Sequence, residues 1–127
     1  MTAFFLSLAL VAWYGQPASC EPFGADLVRS ITWHESRGNP AAVSPAGAVG
    51  LMQVMPAWSK VPRWALFVPY VNRAEGCRIL ARWRKRAGGN LSVALAAYNG
   101  GNVGLRGRCQ ACQAYARGVI ERRARGR

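Results

Sequence analysis

Acidic side chains and histidines are scarce in this 127-residue chain, which holds five acids and one histidine against 17 lysines and arginines. A structural zinc site needs about four ligands drawn from cysteine, histidine and carboxylate groups. His34 and Glu35 begin like the His-Glu-x-x-His motif of zinc proteases, but the second histidine is missing. Cys109 and Cys112 form a Cys-x-x-Cys pair, and no second such pair exists to complete a site. The sequence therefore predicts no metal site and no cofactor.

A hydrophobic run long enough to span a bilayer is also missing. The apolar run from Ala3 to Tyr14 is short of the roughly 20 residues that a transmembrane helix needs, but its length suits an export signal. Residues 1–20 are therefore predicted to be an apolar leader, and residues 21–127 a folded domain with a basic C-terminal tail. Three roles remain open for the leader. A cleaved signal is favoured over an uncleaved anchor through residues 3–14 and over a buried N-terminal helix.

The charge is strongly one-sided, with a formal net charge of +12. Such a field attracts polyanions, which include nucleic acids, anionic lipid head groups and acidic polymers of the cell wall. Charge alone does not choose among them. Because about half of the residues are apolar, the chain is predicted to fold, and its length suits one domain with a modest core.

Four cysteines make an even number, which is typical of proteins from oxidising compartments. Three pairings are open for four cysteines. We favour Cys109 with Cys112 and Cys20 with Cys77. Loss of Cys20 by cleavage after it, or its lipidation, would leave three cysteines for pairing.

The apolar pattern predicts a mainly α-helical domain of short helices. The first is predicted from Phe23 to Ser36, with Leu27, Ile31 and Glu35 on one buried stripe. Glu35 then lies at the end of an apolar face, where desolvation favours the protonated carboxyl that a general acid needs. The alternative is that this glutamate pairs with one of the many arginines.

The later segments predict a short apolar helix and three longer ones. The short helix lies between Gly50 and Pro56, and the longer ones cover Pro69 to about Arg86, Leu91 to Tyr98 and about Gln110 to Arg122. Asn90 is the predicted N-cap of the third of these four helices. We expect one of Trp58 and Trp64 to be in the core. Tyr115 and Val119 are also expected there.

Three blocks of sequence resemble the soluble lytic transglycosylases, a lysozyme-like family that cleaves peptidoglycan. The first block covers residues 35–56 and contains Glu-Ser, Asn-Pro, Ser-x-x-Gly-Ala-x-Gly-Leu-Met-Gln and Met-Pro in the order of the family pattern. The second is the Asn-x-x-x-Gly-x-x-x-Leu series of Asn72, Gly76 and Leu80. The third is Ala97-Tyr98-Asn99, although the Gly-Gly-Asn-Val-Gly that follows departs from the usual Ala-Gly-Pro-Gly.

The resemblance implies a small lysozyme-like helical domain that cuts the β-1,4 bond between N-acetylmuramic acid and N-acetylglucosamine. It implies that Glu35 is the single acid and base, and that the product carries a 1,6-anhydro ring on the muramic acid. It also implies a substrate-binding cleft. The residues carried over to this cleft are Ser44, Gln53, Met55, Tyr98 and Asn99.

Two other functions remain open. A goose-type lysozyme-like hydrolase would use water on the same fold, and a non-catalytic basic protein would bind the wall or nucleic acid. We expect a monomer that acts on peptidoglycan glycan strands, with anionic envelope polymers or lipids as further partners and no specific nucleic acid. The expected location is the periplasm or cell envelope, or the virion if a phage encodes the chain. The biological role stays open among phage entry or lysis, secretion or conjugation, and wall turnover.

Overall fold

The computed structural model describes residues 20–126. Apart from Cys20, the predicted leader lies outside this range. Within it the chain is mainly helical, as predicted, and forms five α-helices and two short 3-10 helices. The α-helices are α1 (Ala25–Ser36), α2 (Pro69–Arg86), α3 (Leu91–Gly100), α4 (Asn102–Leu105) and α5 (Gln110–Ala124). The 3-10 helices are Pro56–Trp58 and Arg63–Phe67.

Helix α3 is the centre of the domain and packs against α2, α4 and α5. Its middle residues, from Ala94 to Ala97, are all buried. Its start is confirmed as predicted, because the side chain of Asn90 accepts a hydrogen bond from the backbone N–H of Val93 at 3.0 Å. A short apolar helix of this kind owes its stability mainly to the neighbours that cover it on every side.

Helix α1 packs along α5. The hydroxyl of Ser30, which is fully buried, donates to the carbonyl of Val119 at 2.6 Å. Leu27 and Ile31 on the same stripe are also buried, as the sequence pattern predicted. This pairing places the end of α1, with Glu35, beside the middle of α5.

The predicted helix between Gly50 and Pro56 is not formed. Val49 instead makes isolated antiparallel bridges with Val43 and Val54, and Gln53 has a left-handed backbone with φ of 50°. The helical pattern is overridden from outside the segment by Asn72 of α2. Its side chain accepts from the N–H of Met52 at 2.7 Å and donates to the carbonyl of Val49 at 2.8 Å. These bonds occupy backbone groups that a local helix would have used.

Two glycines allow this loop to sit tightly on α2. A Cβ on Gly76 would lie 2.6 Å from the sulfur of Met52, and a Cβ on Gly50 would lie 2.6 Å from the carbonyl oxygen of Leu66. Gly50 also has a positive φ of 78°. Gly76 therefore allows α2 to pack closely against Met52, where a side chain would not fit.

The prediction that Trp58 or Trp64 fills the core is wrong. Their side chains are 49% and 55% exposed, while Trp83 of α2 is the buried tryptophan at 4%. Each exposed tryptophan is in one of the two 3-10 helices. The helix Arg63–Phe67 contributes Ala65 and Leu66 to the core in place of Trp64.

Both predicted disulfides are present, Cys20 with Cys77 and Cys109 with Cys112. The first ties the start of the described chain to α2. The second closes the first turn of α5 beneath Gly100, where an added Cβ would collide with the sulfur of Cys112. None of the helices within residues 20–126 is long and apolar enough to cross a membrane.

Candidate active site

Glu35 lies in the last turn of α1 and is only partly accessible to solvent. Burial raises the pKa of its carboxyl from 4.5 to about 7, and the hydroxyl of Tyr115 lowers it by a smaller amount. No ion pair reaches Glu35 within residues 20–126, so the alternative of an arginine partner is not observed there. At neutral pH a large share of this carboxyl is therefore protonated and able to give up a proton.

Two arginines contact the ring of Trp33, which lies near the end of α1. The guanidinium of Arg37 lies 3.4 Å from the ring centroid of Trp33, and that of Arg122 lies 3.7 Å from the same ring. Such cation–π contacts stabilise the two charges on the indole. Burial accordingly remains the dominant influence on the pKa of Glu35.

Two tyrosines surround the carboxyl of Glu35. Burial and the charge of Glu35 raise the pKa of Tyr98 and that of Tyr115 well above 10, so both hydroxyls remain protonated. Tyr98 donates to the carbonyl of Met52 at 2.7 Å. The buried Tyr115 hydroxyl approaches the Glu35 carboxyl, but their geometry falls short of a well-formed hydrogen bond, and no other group in the described chain partners it.

The loop from Gly50 to Met55 is fixed beside Glu35 by bonds from three helices. The hydroxyl of Ser36 in α1 donates to the carbonyl of Leu51 at 2.8 Å. Asn72 of α2 and Tyr98 of α3 bond to the backbone of Met52. Because each helix anchors a different group, the loop has one position relative to the acid, which favours a preorganised site.

A groove opens next to this loop, with a cavity volume of about 140 Å³. Four of the five predicted substrate-binding residues line it, namely Gln53, Met55, Tyr98 and Asn99. Glu35 itself does not line the groove, but the charge of its carboxylate acts on Tyr98, which does. The walls also include Trp58 and Trp83, so the groove offers both amide and aromatic surfaces, as sugar sites do.

Gln53 is held in a constrained conformation at the groove. Its amide N–H₂ donates to the carbonyls of Gly50 at 3.0 Å and Ala42 at 3.2 Å. The donors of this amide are therefore used by the protein backbone. The side-chain carbonyl oxygen receives no hydrogen bond from the described residues, so it is available to accept one from a ligand.

Ser44 does not line the groove. Its hydroxyl accepts from the N–H of Ala48 at 3.0 Å, and its own N–H donates to the carbonyl of Ala48 at 2.9 Å. These bonds close the turn that precedes the site loop. Ser44 therefore shapes this turn, and it lies outside the groove that the other four predicted residues line.

Tyr115 belongs to the site, although the sequence pattern placed it in the core. A signal was available, because a tyrosine on a buried helical face needs a partner for its hydroxyl, which phenylalanine would not. Trp83 was not predicted as a site residue either, although it lines the groove. It does so next to Trp58, which crosses α2 there, and the centroids of the two rings lie 5.8 Å apart.

Within residues 20–126, no three histidine, cysteine or acidic side chains are close enough together to hold a metal ion. The chemistry available at the site is therefore that of a half-buried carboxyl, two protonated tyrosines and backbone groups.

Comparison with known proteins gives three agreeing results. The family model for the transglycosylase SLT domain matches residues 19–119. A transglycosylase of Enterobacteria phage PRD1 is 36% identical over 99 residues, which cover 76% of this chain and 37% of that protein. The crystal structure of the 70 kDa soluble lytic transglycosylase from Escherichia coli superimposes with a TM-score of 0.70 at 24% identity, and it confirms the predicted lysozyme-like helical fold. That match covers 94% of this chain and 24% of the larger one, so the chain spans well under half the length of either relative.

Proposed function

Because the chain belongs to the transglycosylase SLT domain family, we propose that it is a peptidoglycan lytic transglycosylase with Glu35 as its acid and base. The observation that supports this most is the environment of Glu35. Its pKa is raised to about 7 by burial, it forms no ion pair within residues 20–126, and its charge acts on Tyr98, which lines the groove.

In the first step, the protonated carboxyl of Glu35 gives its proton to the oxygen that joins N-acetylmuramic acid to N-acetylglucosamine. The bond from this oxygen to the muramic acid carbon C1 breaks, and the N-acetylglucosamine leaves with a new hydroxyl. The substrate's own N-acetyl oxygen stabilises the positive charge that develops on C1.

In the second step, the Glu35 carboxylate removes the proton from the C6 hydroxyl of the same muramic acid. The C6 oxygen bonds to C1 and closes a 1,6-anhydro ring, so no water is consumed and Glu35 regains its proton. A group that alternates in this way needs a pKa near the working pH, which burial provides. Such acid–base catalysis contributes about 10²–10⁴-fold to a rate.

The ion pairs of three other carboxylates support a mechanism with a single acid. Asp26, Glu75 and Glu121 each form an ion pair with an arginine, so each already has a partner. Two-carboxylate glycosidases place their acids roughly 5 to 9.5 Å apart on opposite sides of the bond. Asp26 precedes Glu35 by nine residues on α1 and lies about 13 Å from it along the helix axis.

The substrate we propose is the glycan strand of peptidoglycan, bound by a monomer in the cell envelope, with the basic surface attracted to anionic envelope polymers or lipids. The similarity to a phage transglycosylase supports a local role in opening the wall during phage entry or lysis. Export through the predicted leader is part of the same proposal.

The test is mass spectrometry of the soluble products after the purified protein digests peptidoglycan. We expect fragments that end in 1,6-anhydromuramic acid. Fragments with reducing ends, one water heavier, would instead identify a lysozyme-like hydrolase.

Two variants serve as controls in this digestion. Glu35→Gln removes the proposed acid, and Glu121→Gln removes an exposed acid that does not line the groove as the matched control. A folded wild-type protein that releases no fragments would indicate a basic binding protein instead of an enzyme.

A further inference from the structure

The Cys-x-x-Cys pair of the sequence, Cys109 and Cys112, takes no part in the proposed mechanism. In the structure the two cysteines form a disulfide at the start of the 15-residue helix α5. Cys109 is the N-cap of this helix, and its sulfur accepts a hydrogen bond from the N–H of Cys112 at 3.1 Å. Two cysteines separated by two residues at the start of a helix are the arrangement that thiol oxidoreductases use.

The surroundings of this disulfide are those of a reactive sulfur. Reactive cysteines lie in partly exposed, electropositive places, and helix N-termini are among them. Cys109 is partly exposed, whereas Cys112 is only 2% exposed, so an incoming thiolate has access to the first sulfur. Arg106 and Arg108 come just before the helix, both are exposed, and neither forms an ion pair within residues 20–126. Their charges and the positive end of the α5 dipole stabilise a thiolate at Cys109.

The disulfide between Cys20 and Cys77 differs in both respects. Cys77 is only 1% exposed and lies in the interior of α2, so a thiolate there would have no helix N-terminus to stabilise it. This disulfide joins residues 57 positions apart, against three for Cys109 and Cys112. Because the stabilisation of a fold by a disulfide grows with the length of the closed loop, the fold should tolerate loss of the shorter bridge better.

We propose that the Cys109–Cys112 disulfide is a thiol–disulfide exchange site whose partner is a dithiol. A thiolate of the dithiol attacks the sulfur of Cys109, the S–S bond breaks, and the sulfur of Cys112 leaves and takes a proton. The second thiol of the dithiol then attacks the dithiol's own sulfur in the mixed disulfide and releases Cys109 as a thiolate. Two electrons thus pass to the protein, which gains two thiols, while the dithiol becomes a disulfide.

Reduction of this pair affects the groove through Gly100. A Cβ on Gly100 would collide with the sulfur of Cys112 and lie 3.5 Å from that of Cys109, so the end of α3 rests directly on the disulfide. Once the bond is broken, the two sulfurs need the larger separation of non-bonded atoms, and a close-packed junction has no room for it. Tyr98 and Asn99 come just before Gly100 and line the groove. Reduction should therefore loosen the end of α3 at these two residues.

The experiment treats the folded, full-length protein with mixtures of reduced and oxidised dithiothreitol. Free thiols are trapped with iodoacetamide and located by peptide mass spectrometry, and the Cys20–Cys77 disulfide of the same molecule is the matched control. We expect Cys109 and Cys112 to be labelled at a ratio of reduced to oxidised reagent about 5- to 30-fold lower, which is the effect of a helix N-terminus on one charge. Circular dichroism shows that the fold is kept at that ratio.

Two single variants identify the sulfur that is attacked. Cys112→Ser leaves Cys109 as a free thiol at the start of α5, and Cys109→Ser leaves the buried Cys112. We expect iodoacetamide to label Cys109 in the first variant at least about tenfold faster than Cys112 in the second, because exposure and thiolate character set the rate.

Amide hydrogen exchange measures the effect on α3. We expect peptides that contain Tyr98 and Asn99 to exchange about 3- to 10-fold faster in the reduced protein, since local opening becomes easier there. Peptides from the middle of α2 should be unchanged. Cys109→Ser/Cys112→Ser should exchange like the reduced protein and no longer respond to dithiothreitol.

These measurements use no glycan, so they decide the proposal even if the proposed function fails. Labelling of Cys20 and Cys77 at the same or a lower ratio would overturn the exchange site, as would thiols that appear only when the protein unfolds. Equal labelling rates in the two single variants would overturn the attack on Cys109. Reduction of Cys109 and Cys112 without faster exchange at Tyr98 and Asn99 would overturn the link to the groove.

Discussion

Glu35 and Glu75 are both largely removed from water, yet the pKa values of their carboxyls are shifted in opposite directions. Burial dominates at Glu35 and raises its pKa to about 7. At Glu75 burial also acts to raise the pKa, but hydrogen bonds from Arg78 and the Lys60 N–H, together with the charge of Arg78, outweigh it and lower the pKa. Burial alone therefore does not determine the direction in which the pKa of a carboxyl shifts. The presence or absence of a cation beside the carboxyl determines it.

The same contrast separates catalysis from structure in this small domain. Glu75 is ionised and fixes the segment that carries Trp58, so its charge is used for positioning. Glu35 has no ion pair within the described residues, and two arginines near it stack on Trp33. In a chain with 17 basic residues, keeping one acid unpaired is the less common arrangement, and it is the one that a general acid requires.

The largest expected effect is loss of activity on Glu35→Gln. The amide has the same shape but cannot give up or take a proton, so we expect the rate of glycan cleavage to fall about 10²–10⁴-fold. The measurement is the initial rate of release of soluble fragments, with circular dichroism to show that the fold is kept. A variant retaining more than roughly a tenth of the wild-type rate would rule out the acid–base role.

Glu75→Gln should instead reduce stability. It leaves the guanidinium of Arg78 buried without its counter-charge, and breaking such a pair costs about 3–5 kcal/mol. Urea unfolding at neutral pH measures the change in the free energy of unfolding. Glu121→Gln breaks an exposed pair and serves as the control, with an expected change below about 1 kcal/mol. Equal changes in the two variants would show that the Glu75–Arg78 pair contributes no more to stability than an exposed pair.

The pH dependence of stability should identify Glu35 directly. Its folded pKa of about 7 exceeds the reference value of 4.5, so the folded state binds this proton more tightly. The resulting stabilisation is complete below the reference pKa and is lost as pH rises through about 7, a total of about 3 kcal/mol.

Glu35→Gln lacks this titration. Relative to wild type, the variant should therefore gain about 3 kcal/mol in unfolding free energy between about pH 4 and about pH 8. Thermal or urea unfolding across this range measures it. A difference that stays constant with pH would show that the carboxyl is not desolvated in the folded state.

The smallest expected effect is that of Tyr115→Phe. The Tyr115 hydroxyl lowers the pKa of Glu35, so its removal should move the decline of activity at alkaline pH to higher pH. The change in kcat/KM at neutral pH should be less than about tenfold, the scale of one neutral hydrogen bond. The pH–rate profile is the measurement, and an unchanged profile would remove Tyr115 from the site.

The four longer helices, α1, α2, α3 and α5, follow local signals, so the sequence predicted them well. Pro69 begins α2, and Asn90 caps α3 through a hydrogen bond to a residue three positions later. Each signal acts within one turn of the chain. The apolar stripe that places Glu35 at the end of α1 is also local.

The parts that were not predicted depend on distant residues. The segment around Gln53 has the composition of a short helix, but Asn72 reorganises it from 20 positions away. Whether Trp58 is buried depends on the ion pair of Glu75 with Arg78 in another element. The nearness of Tyr115 to Glu35 follows from the packing of α5 on α1, which the sequence pattern of either helix does not encode.

The disulfide between Cys20 and Cys77 gives a chemical way to read how the chain is processed. All four cysteines are paired in the structure. A protein that retains an unmodified Cys20 should react with no equivalent of a thiol reagent after denaturation without reductant. A protein cleaved beyond Cys20 should react with one, at Cys77. Counting thiols in material recovered from its natural compartment therefore reports on the N-terminus without sequencing it.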